Sequence, residues 1–283
     1  MKIITTVKEL REELKAYRHL GKSIGFVPTM GYLHEGHESL MIEAKKQTDI
    51  VVLSIFVNPL QFGPNEDFER YPRDLEKDQD IATKAGIDII FAPSVKEMYP
   101  NEMKTTVQVI DITSKLCGAS RPGHFEGVAT VVSKLFLIVQ PDKAFFGQKD
   151  AQQIAVIQQM VDDLNFPINI VACPIVREED GLARSSRNVY LSTEERLQAV
   201  ILNLSLQSAK EEIIKGNQNT ETIKQLIIQK INEMPLAKID YVEILTYPSL
   251  KEIETLQQGE KVIIALAVWF GKTRLIDNLL IEI

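Results

Sequence analysis

Two features of the sequence predict an α/β protein in which a parallel sheet with helices on both faces precedes a smaller α+β domain with an antiparallel sheet. Short apolar runs alternate with helix-length amphipathic segments through the first 175 residues. After Pro174 the style changes to a charged, Gly-containing stretch, two helical patterns and three closing apolar runs. The boundary is expected near residue 176, giving domains 1–175 and 176–283. No internal repeat, low-complexity tract or long linker interrupts either part.

The elements follow in chain order. Residues 23–27 form an apolar strand run ending at Pro28, and residues 38–46 carry a helical pattern, with a loop at 29–36 between them. The strand at 50–57 (IVVLSIFV), a long polar segment, a helix at 74–85 and a strand at 88–91 make a second unit. An apolar stretch of helical length at 127–139 leads to a strand at 143–146, and a helix at 151–164 leads to a buried strand at 168–172. About five parallel strands are therefore expected. Beyond the boundary, helices are expected at 193–215 and 220–233, and strands at 239–246, 261–270 and 274–281.

Composition narrows the function classes. Hydrophobic residues make up 45% of the 283 positions and charged residues 25%, the balance of a soluble globular protein. A net charge of −7 argues against a general nucleic-acid surface. The apolar runs, such as VIIALAVWF at 262–270, fall far short of the ~20 residues a membrane helix needs. The first residues, MKIITTVKELREELKAY, lack the apolar core of a secretion signal, so a cytoplasmic location is expected. Cys117 and Cys173 lie far apart and form no Cys-x-x-Cys pair, which leaves buried free thiols as the expectation.

Small-molecule sites in open parallel sheets gather beyond the carboxyl ends of the strands, and the polar motifs fall there. The first is PTMGYLHEGHESL at 28–40, which places His34 and His37 three apart at the entrance to a helix. A helix start offers unpaired amides and partial positive charge, so phosphate oxygens can bind beside both imidazoles. Two such histidines can also merely cap or pack, and a zinc site lacks the further ligands it needs.

The second motif, FFGQKDAQQ at 145–153, carries Gly147, Lys149, Asp150 and Gln153 where a strand gives way to a helix. Lys149 suits a phosphate, Asp150 a ribose hydroxyl or a helix cap, and Gln153 a polar organic substrate. The third, DGLARSSRN at 180–188, combines guanidinium forks with serine hydroxyls in a loop equipped for polyphosphate, or simply capped by its serines. Asn58 and Gln61 in FVNPLQF, and Arg121 and His124 in SRPGHFEGV, are lesser candidates for hydroxyl or anion binding. No G-x-G-x-x-G fingerprint, P-loop, G-x-S-x-G elbow or H-E-x-x-H pair occurs.

The segment H-E-G-H at 34–37 resembles the H-x-G-H signature of the nucleotidylyl transferase superfamily. The ordered set PTMGYLHEGH, FVNPLQFGPNEDFERYPR, RPGHFEGVATVV, FFGQKDAQQ and DGLARSSRNVYLS narrows this to a resemblance to the pantothenate synthetase (pantoate-beta-alanine ligase) family. That resemblance implies a Rossmann-like first domain, a smaller lid domain and ATP-dependent condensation of D-pantoate with beta-alanine through pantoyl adenylate. It also implies Mg2+, a homodimer and a place in coenzyme A biosynthesis.

Carried onto this chain, it makes His34, His37, Lys149 and Arg187 the catalytic set. Met30, Gly147, Asp150, Val176, Ser185 and Ser186 join them around ATP. Met30, Gln61 and Gln153 face the small substrates. The resemblance assigns no metal ligand, and no role to Arg121 or His124. The alternative is a nucleotidyltransferase that uses the same signature on another small acceptor.

Overall fold

The computed structural model describes residues 1–64, 66 and 68–283; Asn65 and Asp67, within the polar motif at 56–73, lie outside the described residues. The chain divides into two compact units. The first comprises Met1–Ile110, Arg121–Gln148 and Val156–Pro174, and the second Asp111–Ser120, Lys149–Ala155 and Ile175–Ile283.

In chain order the elements are β1 (Lys2–Ile4), α1 (Val7–His19), β2 (Ile24–Thr29), α2 (Glu35–Gln47), β3 (Ile50–Ile55), α3 (Leu75–Lys84), β4 (Ile89–Phe91) and α4 (Val95–Met98). They continue with α5 (Leu116–Ser120), α6 (His124–Val139), β5 (Lys143–Gly147), α7 (Ala151–Asp163), β6 (Asn169–Cys173) and α8 (Thr193–Ala199). The chain closes with α9 (Ile201–Ile214), α10 (Thr220–Asn232), β7 (Ala237–Thr246), β8 (Lys261–Phe270) and β9 (Thr273–Glu282).

The first unit is built on a six-stranded sheet in the order β1-β4-β3-β2-β5-β6, parallel throughout. Adjacent residues in its strands face opposite ways, and the apolar runs fill both faces. On one face Val27, Val51, Leu53, Ile90 and Phe145 pack with Leu40, Met41 and Ala44 of α2 and Ala82 of α3. On the other, Phe26 meets the edge of Phe136 from α6 at 6.3 Å between ring centres, and Phe146 meets the same ring at 6.4 Å. Helices thus cover both faces, as the sequence predicts.

Three aspartates finish the amino edge of this sheet. Asp49, just before β3, accepts from the Ser23 amide at 2.9 Å and the Ser23 hydroxyl at 2.8 Å. Asp88, just before β4, accepts from the Val51 amide at 2.7 Å, and Asp142, just before β5, from the Ile24 amide at 2.6 Å. Each satisfies a strand-start donor that the ladder leaves unpaired. The carboxyl ends of the central strands lead instead into the polar motifs. The strand order reverses between β2 and β5, which pair at Gly25 with Lys143 and at Phe26 with Ala144, so the first and second motifs follow the two strands flanking the switch point.

The second unit closes on an antiparallel meander, β7-β8-β9. Its core joins Ile223, Ile227 and Ile231, one face of α10 at four-residue spacing, to Leu202 and Leu206 of α9 and to Val242, Ile244, Ile264, Leu266 and Val268 of the strands. Among the described residues no helix is long and apolar enough to cross a membrane.

Two expectations need correction. The sheet has six strands rather than about five, because β1 adds a three-residue edge strand in which only Ile4 is buried. The helix expected at 193–215 is broken at Val200 into α8 and α9. Val200 keeps right-handed angles (φ −60°, ψ −24°) and no glycine or proline marks the break, so composition carried no sign of it. Both cysteines are buried and free.

The aspartate edge is testable. The Ser23 amide and hydroxyl hold the Asp49 carboxyl down at about 2. A folded pKa below the unfolded value near ~3.9 means that its stabilisation is complete above that value and is lost as pH falls toward about 2. Asp49→Asn should therefore lower the urea midpoint at pH 7, and the gap to wild type should close as pH drops through that window. A gap independent of pH would contradict the assignment.

Candidate active site

In the first unit the site is organised by the turn from β2 into α2. Gly31 (φ 84°) and Tyr32 (φ 52°) both lie in the left-handed region. Only the first is a glycine, so Tyr32 sits there at a cost of about 1–2 kcal/mol. The carboxylate of Asp78, on α3 and 1% exposed, accepts from the Tyr32 amide at 2.9 Å and the Leu33 amide at 2.6 Å. Each such charged hydrogen bond is worth about 1.5–3 kcal/mol, enough to hold the strained residue. Lys77 adds its ammonium 5.0 Å from the centre of the Tyr32 ring. The fit leaves no room at position 31, where a Cβ would stand 2.8 Å from Asp78 Oδ2 and 2.9 Å from Ile55 Cγ2.

Burial pushes the Asp78 carboxyl up, against the opposing pull of the Leu33 and Tyr32 amides. With the folded pKa above the unfolded one, this group favours folding most at low pH, and that contribution falls as pH rises through the folded value. The clamp thus fixes a local conformation at some expense of global stability.

His34 and His37 stand where this turn delivers them, both half-buried. His34 caps α2, with Nδ1 accepting from the Gly36 amide at 3.1 Å, while His37 Nδ1 accepts from the His34 amide at 3.3 Å. The rings lie 4.1 Å apart between centres. Because each Nδ1 receives an N–H, the neutral rings carry their proton on Nε2, which becomes a donor. The amides expected to await phosphate at this helix start are partly engaged already: Gly36 N with His34 Nδ1, and His37 N with the His34 carbonyl at 2.8 Å. The capping role weighed for these histidines is therefore present, and it occupies Nδ1 of each ring.

Met30 and Gln61 meet. Gln61 ends a one-turn 3-10 helix, Pro59–Gln61, that follows β3; its Nε2 donates to Met30 Sδ at 3.0 Å and its Oε1 accepts from Asn58 Nδ2 at 3.2 Å. Asn58, 1% exposed, is used up as scaffold, giving Nδ2 also to the Gly127 carbonyl at 3.1 Å and taking the Tyr99 hydroxyl at 2.7 Å. Burial pushes that phenol well above its ordinary range, so Tyr99 stays a donor. Gly147 is the last residue of β5, where a Cβ would meet nothing within 4 Å; packing does not demand a glycine there.

The remaining predicted residues belong to the second unit. Lys149 and Asp150 lie on the 3-10 turn Gln148–Asp150, their charges 3.8 Å apart, and the Lys149 carbonyl accepts from Asn278 Nδ2 at 2.9 Å. Two adjacent glutamines divide. Gln152 is buried and committed, accepting from the Cys117 amide at 2.9 Å and donating to the Ile112 and Lys115 carbonyls at 2.9 and 2.7 Å. Gln153 is half-buried and, among the described residues, its side chain makes no hydrogen bond.

Val176 opens a hairpin by accepting from the Arg184 amide at 2.9 Å, with Arg177 bridging to Ala183. Asp277 on β9 holds Arg177 at 2.6 and 3.0 Å, and Arg196 holds Glu178 and Asp180 at 2.6 and 2.7 Å. This hairpin feeds the serine run. Ser185 caps the 3-10 helix Ser186–Tyr190 by accepting from the Arg187 amide at 3.3 Å; Ser186 is buried and Arg187 half-buried.

A sequence model of the pantoate-beta-alanine ligase family matches residues 2–280. The chain belongs to that family. It is 56% identical to the pantothenate synthetase of Acetivibrio thermocellus over 283 residues, the full length of both, and 57% identical to that of Caldicellulosiruptor bescii over 282 residues, all of this chain and 99% of the relative. The crystal structure of pantothenate synthetase from Thermus thermophilus covers 99% of each chain with a TM-score of 0.93 at 47% identity. Pantoate-beta-alanine ligase from Francisella tularensis, solved with beta-gamma ATP and beta-alanine, covers 99% of this chain and 97% of its own with a TM-score of 0.80 at 36% identity.

Family membership leaves the role of Asp78 to geometry, and one sign of it is present in the sequence. In α3 the carboxylate falls on the helical face of Ile81 and Ala82, where an apolar residue is expected. Asp78→Asn keeps the volume but presents a donor to one of the two amides. Amide hydrogen exchange at Tyr32 and Leu33 should then rise about tenfold or more, the effect of one lost buried hydrogen bond. Unchanged exchange at both residues would exclude the clamp.

Proposed function

We propose that this chain joins D-pantoate to beta-alanine, converting ATP to AMP and pyrophosphate through pantoyl adenylate. The observation that carries the reading is the turn at the carboxyl end of β2, which sets the H-x-G-H histidines side by side at the start of α2 with Nδ1 of each gripping the backbone. In the first step a pantoate carboxylate oxygen bonds to the α-phosphorus, the bond from that phosphorus to the bridging oxygen breaks, and pyrophosphate leaves. Negative charge moves toward the leaving group, so preplaced cations and N–H donors lower the barrier. His34, His37, Lys149 and Arg187 supply them, with Ser185 and Ser186 adding hydroxyl donors.

Met30, Gly147, Asp150 and Val176 complete the ATP contacts in this reading, with Asp150 toward the ribose. Met30, Gln61 and Gln153 hold pantoate. In the second step the neutral beta-alanine amine attacks the acyl carbon, the carbon–oxygen bond to AMP breaks, and the amine loses a proton. The mixed anhydride is already activated, so alignment does most of the work and no protein nucleophile is needed.

Mg2+ belongs to the proposal through its usual role of neutralising phosphate oxygens. Among the described residues no three His, Cys, Asp or Glu side chains group to hold a metal, and both Asp78 oxygens are engaged by amides. The ion would therefore be carried by ATP phosphates and water. The proposal retains an ATP- and pantoate-binding part at residues 1–175 and a lid domain at 176–283, and extends to a cytoplasmic homodimer in coenzyme A biosynthesis.

Pantothenate should appear only when D-pantoate, beta-alanine and ATP are all present, with AMP in equal amount; AMP transfer to another acceptor without amide formation would overturn the reading. Lys149→Ala should slow adenylate formation by about 100-fold or more, some 3 kcal/mol of transition-state stabilisation. Gln153→Ala should raise the KM for pantoate more than that for ATP, and the opposite pattern would reject the division of roles.

A further inference from the structure

Gln61 is held from its backbone as well as its side chain, and the residues that hold it there are Arg121 and His124. The Gln61 carbonyl lies 2.8 Å from His124 Nδ1, and His124 Nε2 lies 3.1 Å from Arg121 Nη1. A carbonyl only accepts and a guanidinium only donates, so the partners dictate the ring: Nδ1 carries the proton and Nε2 is the acceptor. This is the opposite tautomer to that of His34 and His37.

Behind His124, Arg121 is oriented by a two-pronged ion pair with Glu66, Nε to Oε1 at 2.7 Å and Nη2 to Oε2 at 2.6 Å. Partial burial pushes the Glu66 carboxyl up, but the hydrogen bonds and charge of Arg121 outweigh it and hold the group below its usual value. The pair therefore stays ionised at neutral pH, and its parallel geometry fixes the plane of the guanidinium.

The same helix start presses on this segment at a second point. A Cβ at Gly127 would stand 2.2 Å from the Leu60 carbonyl oxygen and 2.7 Å from Gln61 Cα, so the first turn of α6 lies directly against the backbone it positions. Asn58 ties the two together from the other side through the Gly127 carbonyl at 3.1 Å.

We propose that Glu66, Arg121 and His124 form a positioning relay that sets the orientation of Gln61 toward pantoate. None of the three needs to touch the substrate. The relay rests on the reading of Gln61 as a pantoate ligand. Its function is to prevent rotation of the Leu60–Gln61 backbone, which would swing the Gln61 amide away from Met30 and from the substrate hydroxyls.

The test measures KM for pantoate, KM for ATP, kcat and the thermal midpoint in full-length variants. His124→Ala should raise the pantoate KM about tenfold, the effect of one lost buried hydrogen bond, with the ATP KM within about twofold of wild type. His124→Asn, whose side-chain N–H can replace Nδ1–H, should recover most of that loss, a rescue that a purely structural role would not produce. Arg121→Ala should also raise the pantoate KM, since it removes both the guanidinium behind His124 Nε2 at 3.1 Å and a weaker direct donor to the Gln61 carbonyl at 3.5 Å.

Equal rises in both KM values, or no rescue by asparagine, would overturn the relay. An effect of Gln61→Ala without one of His124→Ala would overturn the relay and leave Gln61 as a ligand, whereas an unchanged pantoate KM in Gln61→Ala would remove both. Nitrogen-15 NMR of the histidine rings decides the geometry without substrate. The relay predicts an Nδ1–H signal for His124 against Nε2–H for His34 and His37, and an Nε2–H form or an imidazolium at His124 at neutral pH would contradict it.

Discussion

A buried carboxylate holding two successive amides is the constraint on which the histidine motif depends. Asp78 fixes Tyr32 and Leu33, which fixes the left-handed turn at Gly31 and Tyr32, which in turn sets where α2 begins. Only with the helix starting at Glu35 can His34 cap it and His37 reach back to the His34 amide. The two imidazoles then share a tautomer imposed by the backbone. The same carboxylate excludes any side chain at Gly31, so the motif's glycine and the distant aspartate answer a single packing problem.

The sheet makes this turn useful by keeping its two ends different. At the amino edge, Asp49, Asp88 and Asp142 consume the strand-start amides. At the carboxyl edge, β2, β3 and β5 run out into Met30, Gln61 and Gly147. A parallel sheet that reverses its strand order between β2 and β5 leaves the switch point at that edge, where ligands of open α/β sheets gather.

Much of this was legible in the sequence because it rests on patterns with a period. Buried strands such as Val51–Val52–Leu53 and the four-residue spacing of Ile223, Ile227 and Ile231 declare themselves, and the ordered motifs point to the family. What escaped depends on partners far away in the chain. Nothing local distinguishes Gln152, locked to the carbonyls of Ile112 and Lys115, from its neighbour Gln153. Asn58 looked like a substrate ligand and is a buried scaffold, since Tyr99 and Gly127 arrive from 41 and 69 residues away. The edge strand β1 was missed because a strand with one buried residue has no periodicity, and the break at Val200 because no breaker residue marks it.

Reversible formation of an acyl adenylate is the step on which the proposed chemistry turns, and the most direct measurement is exchange of labelled pyrophosphate into ATP with beta-alanine left out. With Mg2+ and D-pantoate present, label should enter ATP, and it should stop entering when D-pantoate is withheld. Folded protein that binds ATP but shows no pantoate-dependent exchange would contradict the adenylate and with it the roles given to His34, His37 and Lys149.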